Sequence, residues 1–172
     1  MVGRLASIVL LVAALAVDAA PGLSEPPRDA VQEDVRRLVQ ATYAGDVDTV
    51  LQLTHPALVR MLGGREAARG KLEESRQLFI SDEVTLEAFA FPRPPEFLEG
   101  GGRRFAIVPT RSVIGIRGQR IESLNFQFGV LEAGAESWTY LEGSQLNQAI
   151  LQSLFPGFPA DYVFPERQRR RL

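Results

Sequence analysis

Four side chains have the chemistry to move a proton or hold a polar ligand. His55 is the only histidine, and an imidazole is the one side chain whose ordinary pKa lies near neutrality, so it could act as a general base or proton shuttle. It precedes Pro56, however, at a point where a helix must break, which is also the setting of a turn residue. Tyr43 could turn its phenol into a pocket from the end of a helix, or pack its ring and leave its hydroxyl wet. Glu122 falls in a run where Leu124, Phe126 and Phe128 share its face at strand spacing. A carboxylate among apolar neighbours would have its pKa raised by desolvation, whereas one paired with an arginine at a strand end would be structural. Tyr140 alternates with Trp138, and with Phe126 these rings are the expected lining for an apolar ligand.

Other chemistry is closed by composition. The 172 residues include no cysteine, so there is no disulfide framework, thiol nucleophile or thiolate zinc site, and one imidazole cannot build a multi-histidine metal centre. No metal or cofactor is expected. A net charge of −2 offers no overall field for nucleic acid, although eighteen of the nineteen basic residues are arginine. The run Gly100-Gly101-Gly102-Arg103-Arg104 has glycine and positive charge, but it precedes a strand and lacks the spacing of a phosphate loop. Arg167 to Arg171 reads as a frayed, solvated tail.

The first twenty residues read as an address. Arg4 supplies a positive start, the apolar run Leu5 to Val17 is thirteen residues long, and Ala19 and Ala20 are small enough for cleavage. That run is shorter than the ~20 residues a spanning helix needs. The expected organisation is a signal peptide over 1–20, a proline-bearing lead-in over 21–28, one domain over 29–165 and a basic tail over 166–172. Export to the periplasm or exterior follows, with a retained anchor as the alternative.

Within the domain, Val31, Val35, Leu38, Val39 and Thr42 recur at helical spacing against Glu33, Asp34, Arg36 and Arg37, which predicts an amphipathic helix ended by Gly45. Asp46 can cap a second helix, and Gly63-Gly64 precedes a third over 65–79. After Asp82 the period falls to two. Strands are expected over 84–91, 105–116, 120–131 and 137–142, with 93–102 as a mobile connection and Pro109 marking a bend or an edge. Ser144 stands where a cap for a C-terminal helix belongs, and the aromatic, proline-rich stretch 154–165 reads as an arm laid across the body.

Tyr43-Ala44-Gly45-Asp46-Val47-Asp48, then Leu51-Gln52-Leu53-Thr54, the glycine-led helix with Ala67, Ala68 and Leu72, and Trp138-Thr139-Tyr140-Leu141 together resemble the nuclear transport factor 2-like superfamily, which includes ketosteroid isomerase and SnoaL-like proteins. The resemblance covers Asp29 to about Glu142 and implies an α+β fold: a cone-shaped, curved antiparallel sheet packed on the N-terminal helices around a pocket. The C-terminal helix and arm would be additions to it. The isomerase branch's helical tyrosine corresponds to Leu38 here, and its carboxylate base falls where this chain has Arg60, Met61 and Leu62. Neither group carries over. The expectation is a domain that binds a small apolar ligand or a protein partner without an evident catalytic set, with a subunit that dimerises through the outer sheet face, as a homodimer, as a further reading. The alternative is a lyase or isomerase using Tyr43, His55, Glu122 and Tyr140.

Overall fold

The computed structural model describes residues 28–172. The expected signal peptide and most of the lead-in lie outside them. Helix α1 spans Arg28–Ala44, and its buried positions, Val31, Val35, Leu38 and Ala41, are the stripe that the 3.6-residue period selects. Gly45, at φ +72°, ends it in the left-handed region, where glycine has no Cβ penalty. The Asp46 carboxylate accepts the Thr49 N–H and starts α2, Val47–Leu53. Helix α3 is Pro56–Met61 and α4 is Arg65–Ser81.

Six strands follow: β1 Thr85–Ala90, β2 Glu96–Gly100, β3 Arg103–Ile116, β4 Gln119–Leu131, β5 Thr139–Glu142 and, after helix α5 at Gln148–Leu154, β6 Gln168–Arg171. All pairings are antiparallel, and β3 and β4 form the long central ladder. On one side of β3, β1 and β2 lie end to end; on the far side of β4, β5 and β6 do the same.

That arrangement corrects the expected cone. The sheet is open, is not curled around a helix, and is packed on both faces. Against one face sits a core of Val31, Val35, Leu38, Val50, Val108, Trp138 and Tyr140. Against the other sit Phe105, Ile107, Phe126, Phe128, Leu151, Phe155 and Phe158. A cone would leave a hollow between the sheet and the helices, and here Val31, Val35, Leu38, Trp138 and Tyr140 fill that space, while the C-terminal arm packs on the opposite face. The same arm covers the outer sheet face through which dimerisation was expected. Each large ring in that second core stabilises the fold by roughly 1.5–3 kcal/mol through area removed from water.

Four local expectations also change. The supposed mobile connection over 93–102 contains β2, which pairs residue for residue with β3 across a turn at Gly101 and Gly102, both at positive φ. Pro109 is on a central strand, not an edge. It is tolerated because β2 pairs β3 only as far as Ile107 and β1 begins at Arg111, so the missing N–H falls in the gap. Asn147, not Ser144, caps α5, accepting the Ile150 N–H at 3.0 Å. Residues 168–171 are a strand, not a frayed tail.

Candidate functional site

His55 is 4% exposed and acts as the N-cap of α3: its Nδ1 accepts the Ala57 N–H at 3.1 Å. A neutral ring that accepts at Nδ1 carries its proton on Nε2, and that atom faces Glu132 Oε1 at 3.5 Å, too far for a strong bond. Phe155 meets the ring edge-on at 5.1 Å between centroids. Burial lowers the imidazole pKa; Glu132 opposes that, while Arg60 and Arg103 add to it. Arg103 also binds the second Glu132 oxygen at 2.7 Å. With its one basic lone pair used by the α3 cap, His55 is poorly placed to take a proton from a substrate.

Glu122 is buried, and its two carboxylate oxygens separately hold Arg170 of β6 and Arg111 of β3. These hydrogen bonds, the Arg170 bond first, lower its pKa against the opposing effect of desolvation. The carboxylate is therefore charged and structural, not an apolar-pocket acid. Tyr43 stacks on Phe79 at 5.5 Å; burial raises its pKa, the Glu142 carboxylate adds to that and Arg169 opposes it. Tyr43, His55 and Glu122 share no hydrogen-bond or ion-pair partner among the described residues.

The three expected ligand-lining rings do not share a pocket. Trp138 and Tyr140 face the helices, whereas Phe126 faces the arm on the opposite side of the sheet. Tyr140 is 1% exposed, its hydroxyl donates to Asp34 Oδ2 at 3.3 Å, and its pKa is pushed far up by burial and that carboxylate.

Two surface hollows adjoin the proline-rich β1–β2 connection instead. One, of about 440 Å³, lies between that connection and the arm, with Ile107, Pro109 and Phe164 as apolar walls and Arg93, Glu96 and Tyr162 as polar ones. The other, of about 360 Å³, reaches α1 at Asp29 and Gln32. Arg93 and Pro94 line both. The Tyr162 hydroxyl donates to Glu96 Oε2 at 2.9 Å, and burial followed by that bond raises its pKa. Arg93 forms no ion pair among the described residues, so its charge is available at the junction. Sequence reasoning passed over Arg93 and Tyr162 because no spacing links them; the paired prolines and the aromatic arm were the only signals.

Comparison with known proteins finds no matching protein family, no similar curated protein and no similar solved structure. Together with the open, doubly covered sheet, that overturns the likeness to the nuclear transport factor 2-like and SnoaL-like proteins. The class that stands is an α+β domain with a six-stranded antiparallel sheet. No helix among the described residues is long and apolar enough to cross a membrane.

Proposed function

We propose that the protein is a binding domain rather than a catalyst, and that it takes a small, largely apolar molecule bearing an anionic group in the hollow between the β1–β2 connection and the C-terminal arm. The observation that carries this reading is Arg93: a guanidinium without an ion-pair partner among the described residues, set at the rim of apolar walls. A volume of about 440 Å³ suits a small organic ligand. Ile107, Pro109 and Phe164 would take the apolar body, and Arg93 the carboxylate or sulfonate, with bidentate geometry available to it. Export of the chain belongs to the same reading; it rests on residues 1–20, and is checked by sequencing the N-terminus of protein recovered from the native host.

The test is a ligand-observed NMR screen of short aryl and alkyl carboxylates against the whole protein. Binding is expected as broadened or attenuated ligand signals, weakened about tenfold or more in Arg93→Ala, the size of one lost charge-assisted bond. No binding up to about 1 mM, or binding unchanged by Arg93→Ala, overturns it.

A further inference from the structure

The arginine-rich C-terminus is ordered as a strand, and its outer edge pairs with no strand among the described residues. β6 pairs with β4 in the register Gln168↔Leu124, Arg169↔Ser123, Arg170↔Glu122 and Arg171↔Ile121. Leu172 N–H donates to Arg120 O at 2.9 Å in the same register. In an antiparallel ladder, hydrogen-bonded and non-bonded pairs alternate, so Leu172, Arg170 and Gln168 direct their backbone groups at β4. Arg169 and Arg171 therefore direct their N–H and C=O groups away from the sheet.

The side chains divide in the same way. Arg170 is held by the Glu122 carboxylate at 2.5 Å, and Arg167 donates to the Gly143 and Ser144 carbonyls at 3.0 and 2.9 Å. Arg169 and Arg171 form no ion pair among the described residues and are exposed. Two arginines fasten the strand, and the other two present charge without an ion pair, beside backbone groups that no strand pairs among the described residues. A second copy of β6 would bring arginine against arginine, which disfavours self-pairing. An extended segment with acidic side chains satisfies both the backbone groups and the charge.

We infer that the outer edge of β6 is a docking site for an acidic, extended peptide segment of a partner protein, which adds to the sheet as a further strand through Arg169 and Arg171. Main-chain hydrogen bonds supply the pairing, and the guanidinium groups select acidic over neutral strands. No residue of β6 lines the hollow at Arg93, so the inference does not rest on a ligand there.

The test measures fluorescence anisotropy of a labelled synthetic peptide alternating valine and glutamate, titrated with the whole protein. Saturable binding is expected, weakening with added salt and falling about tenfold or more in Arg169→Glu/Arg171→Glu. These side chains are exposed, and a circular dichroism spectrum matching the parent shows that the variant is folded. A second peptide of equal charge, N-methylated at alternate residues, cannot donate to the edge and is expected to bind about tenfold or more weakly. Equal binding of the two peptides, no binding of either, or tighter binding of anionic vesicles or an oligonucleotide than of the peptide overturns the inference.

Discussion

Gly100 and Gly157 meet backbone to backbone: a methyl group built on Gly100 would lie inside the van der Waals envelope of the Gly157 carbonyl oxygen. The β2–β3 hairpin and the C-terminal arm thus interlock at a point that admits only glycine on either side. A Cβ on Gly157 would likewise collide with the Gly101 backbone. Neither residue is at positive φ in the way that Gly101 is, with φ +60°, so the constraint at Gly100 is steric and not conformational. Since backbone cannot rotate aside as a flexible side chain can, Gly157→Ala is expected to cost about 2–4 kcal/mol in urea unfolding. Gly134, which has open space around its Cα, is the contrasting site, although its φ of +74° still disfavours alanine by about 1 kcal/mol. Equal losses at the two positions would show that the arm yields readily.

His55 links acidity to stability. Its pKa is lowered in the fold, so between that value and the unfolded value near 6.5 the unfolded chain binds more protons. Stability therefore falls as pH drops below about 6.5, until the folded imidazole also protonates. Protonation at Nδ1 would set an N–H against the Ala57 N–H that it now accepts. In His55→Asn an amide oxygen can keep the cap while nothing titrates. The variant is expected to lose about 1–2 kcal/mol at pH 8 through lost ring packing, and to show no change between about pH 8 and 5.5. Denaturant midpoints at those values check this, and an undiminished slope in the variant would move the titration to another group.

The helices were legible because their buried positions are the ones that a single period selects: Val31, Val35 and Leu38 are both the stripe and the core. β4 was legible for the same reason at period two, with Phe126, Phe128 and Val130 on one face. β2 and β6 were not. Prolines at 92, 94 and 95 and the triple glycine conceal a five-residue strand that forms only because β3 offers an edge. β6 contains no apolar residue at all, and it is held by its ladder with β4 and by Arg170 on Glu122, 48 positions earlier. Curvature was misjudged because strand patterning reports which side of a strand is apolar, not what covers it. The hollow at Arg93 was invisible for a related reason: Tyr162 reaches Glu96 across 66 positions.

Tyr140 ties the sheet to α1 through its hydroxyl, which donates to Asp34 at 3.3 Å. Tyr140→Phe keeps the ring packing against Val35 and Leu38 and removes only that bond. At this length the bond is weak, so the expected cost is about 0.5–1.5 kcal/mol by thermal or chemical unfolding. A loss of about 3 kcal/mol or more would mean that Asp34 depends on the phenol for its only buried partner.

Glu122 joins three strands: its own β4, β3 through Arg111 and β6 through Arg170. Since these arginines lower its pKa, the charged carboxylate favours the fold above the ordinary glutamate range, and that contribution disappears as pH falls through its lowered folded value. The window opens near the ordinary glutamate value, below the pH near 6.5 at which the His55 effect begins. Glu122→Gln removes the charge while preserving size, leaving Arg111 and Arg170 to solvent, where both are at least half exposed. The sheet is expected to persist and β6 to loosen. Amide hydrogen exchange reads this directly: Arg170 and Leu172, whose N–H groups point at β4, are expected to be protected in the parent and to exchange faster in the variant, while Arg169 and Arg171 exchange fast in both. Protection of Arg170 that survives the substitution would show that the phenylalanine contacts of the arm, led by Phe164 on Phe126 at 5.2 Å, hold β6 without the carboxylate.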